Sequence, residues 1–143
     1  MVQGGDPTNT QKGGESIWGI PFEDEFSDQL SFNRRGILGS ANNGRNSNMS
    51  QFFLTFGPAE HLNRKHTVFG TLIFGYNALD ELEKVPNKEG TEAPLEEIVV
   101  LDSYALYDPF EDEESNLYKI NDRSRSRQGE MPEGKRLSRK FEH

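Results

Sequence analysis

Two histidines five positions apart, His61 and His66, are the side chains of this sequence best suited to metal or acid–base chemistry. A zinc site would need a convincing third ligand, which the surrounding sequence does not offer. An acid–base pair would need an oriented nucleophile, and the scattered serines form no Gly-x-Ser-x-Gly elbow. The sequence therefore predicts no metal centre, no cofactor and no conventional hydrolytic site.

A second group of residues indicates a small groove with apolar walls and a polar rim. In residues 51–56 (QFFLTF), period-two alternation predicts a β-strand that carries Phe53 between two polar side chains on one face. Such a ring either lines a groove or belongs to a core strand that is covered on both faces, and periodicity leaves both alternatives open. The candidate walls are Met1, Ala41, Phe53 and Leu62, and the candidate rim is Gln3, Asn42, Gln51 and His66.

The elements that must position these residues are mostly strands. Strands are predicted at residues 37–42, 51–56, 67–74 and 96–106, and Tyr76, Leu79 and Leu82 at spacing three predict a helix over 76–85 that Pro86 ends. Because strands and helices do not alternate as βαβ units, the pattern favours a mainly β fold, an antiparallel barrel or sandwich.

Composition limits the remaining possibilities. The 143 residues allow one domain, 32% of them are apolar, and no cysteine is present for disulfide or thiol chemistry. No apolar run approaches the ~20 residues of a membrane span, and no signal peptide precedes the first glycines, so we expect no membrane association.

Charge is distributed unevenly along the chain. Residues 1–114 hold eight basic and twenty acidic side chains, whereas residues 115–143 hold eight basic and four acidic ones. An acidic body is a poor surface for nucleic acid. The sequence predicts a domain over residues 1–110 and a disordered charged tail over 111–143, where an Arg-Ser repeat at 123–127 is either a partner-binding element or a solvated linker.

Several motifs in order resemble the cyclophilins, which are peptidyl-prolyl cis–trans isomerases. They are MVQGGD at residues 1–6, GGESIWG at 13–19, FEDEF at 22–26, SQFF at 50–53 and KHTVFG at 65–70. The details SIWG, NNG at 42–44, HL at 61–62 and LDELEK at 79–84 resemble the peptidyl-prolyl isomerase-like 3 branch, among the nuclear, spliceosome-associated cyclophilins. Related spliceosomal branches match NRRG at 33–36 and PF at 109–110 about as well. The resemblance covers residues 1 to about 106 and implies a cyclophilin-like antiparallel β-barrel.

The resemblance also implies roles for the groove residues. Met1, Phe53 and Leu62 match the floor and walls of the pocket for the substrate proline, Gln3 and Gln51 match polar groups beside it, and His66 matches the histidine at its edge. Ala41 and Asn42 match the strand that lies along the bound peptide. His61 stands where many cyclophilins have a tryptophan that contacts cyclosporin, so we expect weak cyclosporin binding at most.

One departure from the family bears on catalysis. In the cyclophilins that this chain resembles, the strand before the MVQGGD segment carries an arginine donor, and a pocket phenylalanine directly precedes the methionine. We therefore expect this chain, which begins at Met1, to lack both residues together with the family's first two strands and first helix, so that the barrel is incomplete. Losing one preorganised donor costs about 10²–10³ in rate.

Three hypotheses follow for the function of the chain. It is an isomerase acting on X–Pro bonds in protein folding or spliceosome assembly, with weak activity; or a non-catalytic proline-peptide binding or scaffold module of a ribonucleoprotein complex; or an incomplete product that folds poorly alone. The expected partners are proline-containing peptides and spliceosomal proteins, the expected state is a monomer, and the expected location is the nucleus, with the cytoplasm as a second site.

Overall fold

The structure, a computed structural model, describes residues 1–108, and these form one antiparallel sheet and one α-helix. The strands are β1 (Val2–Gly4), β2 (Ile37–Ser40), β3 (Phe52–Leu54) and β4 (Val68–Thr71), in the order β1-β3-β2-β4. The mainly β prediction with one retained helix is confirmed. Strands β2, β3 and β4 each lie within the stretch from which they were predicted and are shorter than predicted.

The helix α1 (Tyr76–Lys84) agrees with the predicted span to within one residue. Gly75 precedes it with a φ of 81°, a left-handed conformation that glycine adopts without steric cost. Leu79 is its one buried residue, and Pro86 follows the helix end. In residues 1–108, no helix is long and apolar enough to cross a membrane.

The core lies on one face of the sheet. Phe32, Ile37, Phe53 and Ala59 form a buried cluster, against which Ala41, Leu62 and Val68 pack with part of their surface. Two loops cover this face: the segment that contains Phe32, and the segment between β3 and β4, which includes a 3₁₀ turn at Glu60–Leu62. Backbone hydrogen bonds join them, since the Ala59 amide donates to the Phe32 carbonyl at 2.7 Å.

The predicted strand at residues 96–106 is wrong. The structure places no strand there, and every residue from 96 to 106 is exposed. A strand requires a neighbour that accepts and donates its ladder hydrogen bonds, and no other strand of the described residues pairs with this segment. Its alternating apolar residues are therefore not sufficient to form one.

The chain divides into two compact units, one at Met1–Ile98 and another that starts at Val99. In the second unit, the described residues 99–108 form neither helix nor strand. The predicted domain end at residue 110, the predicted disordered tail at 111–143 and the Arg-Ser repeat lie outside the described residues, so these predictions stand untested.

Candidate functional site

Strand register brings two of the predicted groove positions, Gln3 and Phe53, onto one face of the sheet. Gln3 of β1 and Gly39 of β2 both lie directly opposite Phe53 of β3, and residues paired in this way point to the same side. Val68 of β4 lies opposite Gly39 on the far edge. The candidate site is therefore built across all four strands, with Phe53 at its centre.

The Phe53 side chain is only 2% exposed. Its ring stacks on Phe32 with a centroid separation of 5.4 Å, and the His66 ring stands edge-on to it, also at 5.4 Å. Gly39 leaves room for these rings, because a Cβ there would lie 2.7 Å from the Phe32 ring and 2.8 Å from that of Phe53. The burial of Phe53 therefore shows a core side chain rather than a ring that lines an open groove.

His66 is held by two contacts. Its Nδ1 lies 3.0 Å from the Ser40 carbonyl oxygen, and its backbone amide donates to the Leu62 carbonyl at 3.1 Å. A carbonyl oxygen only accepts, so Nδ1 is the donor in this hydrogen bond. The imidazole is therefore oriented by the end of β2, and Leu62 packs beside it against the core.

Two glutamine side chains form a hydrogen-bonded chain along the edge of this site. Gln3 Nε2 donates to Gln51 Oε1 at 2.7 Å, and Gln51 Nε2 donates to the Gly13 carbonyl at 2.7 Å. The backbone carbonyl of Gln51 accepts a hydrogen bond from the backbone amide of Ala41 at 3.0 Å. Gln51 thus connects β1, the segment after β2 and the loop that contains Gly13.

That loop is organised by Asp6. Its carboxylate accepts hydrogen bonds from the hydroxyl and amide of Thr8 and from the amides of Thr10 and Gly13. These donors, the Thr8 hydroxyl first, lower the pKa of Asp6 from 3.8 to about 2 against the opposing effect of desolvation. Asp6 therefore fixes the position of Gly13, whose carbonyl anchors Gln51.

Asn42 is held in a polar network next to Ala41. Its Nδ2 donates to the Lys65 carbonyl at 2.9 Å and lies 3.3 Å from Asp24 Oδ1. Asp24 also accepts from Asn48 Nδ2 at 2.9 Å and from the Asn46 amide at 2.8 Å. The segment that follows β2 is thus fixed by its own side chains.

Met1 and His61 are not brought to the centre of the site. Both are exposed, Met1 by 51%, and no hydrogen bond or ring contact within residues 1–108 joins either of them to Phe53. The structure places Phe53, His66, Leu62, Ala41, Gln3 and Gln51 together, with Asn42 beside them.

Sequence reasoning missed Phe32. This side chain is fully buried against Phe53, and its amide donates to Asn63 Oδ1 at 2.9 Å. A single aromatic ring between polar residues gives no periodic pattern. Only the contrast between Phe32 and its polar neighbours could have indicated that its side chain is buried. No cluster of three or more metal-ligating side chains occurs in the part of the chain that the structure describes.

Comparison with known proteins supports the resemblance. The family model of the cyclophilin-type peptidyl-prolyl cis-trans isomerases matches residues 1–105. The chain is 49% identical over 117 residues to peptidyl-prolyl cis-trans isomerase 4 of Caenorhabditis elegans, covering 82% of this chain and 22% of that protein. It is 53% identical over 110 residues to human peptidyl-prolyl cis-trans isomerase-like 3, covering 77% and 68% of the two chains.

A solved structure agrees with this match. The cyclophilin-type isomerase of Cryptosporidium parvum aligns with a TM-score of 0.68 at 45% identity over 71% of this chain and 64% of that one, and it was also crystallised in the presence of the dipeptide Ala-Pro. The chain spans about two thirds of isomerase-like 3 and of this cyclophilin, and less than a quarter of the nematode protein. The predicted resemblance is thus confirmed, and the chain belongs to the cyclophilin-type peptidyl-prolyl cis-trans isomerase family.

Proposed function

We propose that the chain binds X–Pro segments on the face formed by His66 and Leu62, which pack against the buried Phe53 ring, and promotes rotation about the prolyl bond. The observation that carries this proposal is the Phe53 ring fixed edge-on to an oriented His66, with the Gln3–Gln51 pair alongside. The family membership and the Ala-Pro dipeptide used with the Cryptosporidium relative support it.

The reaction needs differential binding only, since no covalent bond is made or broken. Rotation meets a barrier of ~18–20 kcal/mol because amide resonance must be interrupted. The twisted amide has less charge separation than the planar one, so an apolar surface such as that of Leu62, which packs against the buried cluster around Phe53, favours it. In this proposal Ala41 and Asn42 lie along the peptide backbone, while Gln51 and His66 contact its polar groups.

We expect the rate to be low, because residues 1–108 offer no arginine beside the Phe53 ring to donate to the prolyl nitrogen. The Arg35 guanidinium donates instead to the Phe56 carbonyl and to Asp80 and Glu83 of α1. Arg64 pairs with Asp28. Without such a donor, turnover about 10²–10³ below that of a cyclophilin with an arginine at this position is expected.

Two measurements test binding and turnover separately. Titration with Ala-Pro, followed by NMR, is expected to shift the resonances of Phe53 and His66, and a coupled assay on an X–Pro peptide is expected to give weak turnover. Q51A is expected to weaken both, whereas Q29A, a matched change at an exposed glutamine, is expected to alter neither. Absence of Ala-Pro binding contradicts the proposal, and turnover equal to that of an arginine-containing cyclophilin contradicts only the expected low rate.

A second candidate is a non-catalytic scaffold in a nuclear, spliceosomal ribonucleoprotein complex. An apolar turn favours it, since Ile17, Trp18 and Ile20 are each more than 60% exposed and exposed apolar patches commonly mark protein contacts. The similarity of SIWG and NNG to the isomerase-like 3 branch points to the same class of partner.

Localisation and capture test this candidate. The tagged full chain is expected in the nucleus, bound as a monomer to spliceosomal proteins, and W18A is expected to reduce that association without changing Ala-Pro binding. Deleting residues 111–143 tests the tail in the same assay. A cytoplasmic chain that captures no spliceosomal protein would exclude the scaffold role while leaving peptide binding intact.

A further inference from the structure

The turn after the Ala41–Asn42 segment contains the one Asn-Gly pair of the sequence, Asn43–Gly44. Both residues are exposed. Gly44 has a φ of 131°, and no atom lies within 4 Å of the place where a Cβ would be. Because Gly44 has no side chain, no Cβ hinders the approach of its backbone nitrogen to the carboxamide of Asn43.

The side chain of Asn43 is unengaged, unlike those of the other asparagines in this segment. Asn42, Asn46 and Asn48 each use their carboxamide in a hydrogen bond. Within residues 1–108, Asn43 bonds only through its backbone amide, which donates to Ser47 Oγ at 3.0 Å. Its carboxamide is thus free to turn toward the Gly44 nitrogen.

We infer that Asn43–Gly44 is a site of spontaneous deamidation that changes the proposed peptide-binding face as the protein ages. The Gly44 nitrogen, on losing its proton, attacks Cγ of Asn43 and forms a five-membered succinimide. The Cγ–Nδ2 bond breaks and ammonia leaves with that proton. Water then opens the ring at Cγ to give aspartate, or at the backbone carbonyl carbon to give isoaspartate.

Either product alters the segment beside it. Aspartate adds a negative charge next to Asn42, whose Nδ2 already lies 3.3 Å from the Asp24 carboxylate. Isoaspartate also inserts a methylene into the main chain directly after Asn42, which displaces the segment that accepts the peptide in our proposal. This consequence, but not the modification itself, rests on the proposed function.

Ser47 restrains the turn and therefore the rate. Its hydroxyl accepts from the Asn43 amide and donates to the Gly44 carbonyl at 2.8 Å, so it closes the turn around the reactive pair. Replacing it by alanine frees the backbone without touching either reacting residue. We expect Ser47→Ala to deamidate faster than the unmodified chain.

Timed mass spectrometry of the folded full chain tests the inference. After incubation at neutral and mildly alkaline pH, the tryptic peptide of residues 36–45 is expected to gain one mass unit at Asn43 and none at Asn42, and to become a substrate for a protein isoaspartyl methyltransferase. Asn43→Gln is expected to abolish the gain, whereas Asn33→Gln, at another exposed asparagine, is expected to leave it. A synthetic peptide of residues 36–45 gives the unrestrained rate.

The outcomes separate the inference from the proposed function. If the synthetic peptide deamidates completely while the folded chain stays intact, the fold protects Asn43 and the inference is wrong. A second outcome is that the aged chain carries the modification and still binds Ala-Pro with the same affinity as the fresh Asn43→Gln variant. That result refutes the effect on the binding face. If fresh chain binds no Ala-Pro, the proposed function fails, and the mass gain at Asn43 still decides the modification.

Discussion

The two faces of the sheet differ in what covers them, although adjacent residues of β3 supply both. Phe53 faces the loops, stacks on Phe32 and is buried, whereas Phe52 on the other face is half-buried and lines a shallow pocket with Phe69, which is 54% exposed. The strand is apolar in both directions, so the covering loops rather than the strand itself decide which ring becomes core.

The largest expected effect comes from truncating the two rings. Phe53→Ala should lower the free energy of unfolding by about 3–5 kcal/mol, since it empties a space inside the buried cluster. Phe52→Ala, which removes a half-buried ring, should cost roughly 1 kcal/mol. Urea titration followed by circular dichroism measures both, and equal losses would mean that the face of Phe52 is packed as tightly as that of Phe53.

Thr55 sharpens the comparison because it is a polar residue on the covered face. It is 1% exposed; its hydroxyl donates to the Arg34 carbonyl at 2.8 Å and accepts from the Ile37 amide at 3.0 Å. Thr55→Val should cost about 1–3 kcal/mol, because it leaves buried backbone groups without partners. Thr55→Ser keeps the hydroxyl and should lose less in the same titration, and the reverse order would contradict this account.

Arg35 tests how α1 is attached to the segment that follows β3. Its guanidinium lies 5.5 Å from the centre of the Phe56 ring and pairs with Asp80 and Glu83, and the hydrogen bond with Glu83 is the main cause of its raised pKa. Arg35→Ala should loosen α1, seen as faster amide hydrogen exchange at Leu79, with a smaller loss of stability than in Thr55→Val. Arg45→Ala, at an exposed arginine, should leave that exchange unchanged.

The smallest expected effect lies in the loop beside the covered face. Because the pKa of Asp6 is lowered from 3.8 to about 2, its contribution to stability is complete above the unfolded value and is lost as the pH falls from about 4 to 2. Asp6→Asn should flatten the pH dependence of the unfolding midpoint in that range. An unchanged slope would show that other carboxyls account for the acid sensitivity.

The sequence predicted the elements better than their burial. Spacing of Tyr76, Leu79 and Leu82 located α1, and alternation located β3. Alternation failed at residues 96–106, because an apolar pattern cannot supply the partner strand that a ladder needs. It could not choose between the faces of β3 either, since Phe53 is buried by Phe32, twenty-one positions earlier in the chain.

The candidate site was predicted in part for the same reason. The resemblance named Phe53, His66 and Gln51, which the structure brings together. It gave no indication that Asp6 holds the loop on which Gln51 depends, because this connection consists of backbone hydrogen bonds to Asp6 and the Gly13 carbonyl. Because nearly every residue has the same backbone groups, hydrogen bonds that use the backbone are hard to predict from residue types.

The bare backbone at Gly39 sets the mutational tolerance of β2. A methyl group there would overlap both stacked rings, so even alanine would force the sheet and its covering loop apart. In a library that randomises β2 and selects for folded protein, position 39 should return glycine alone, while the half-buried position 38 should accept several aliphatic residues. Any redesign that aims to enlarge the site therefore has to begin with Phe32, the ring that this glycine accommodates.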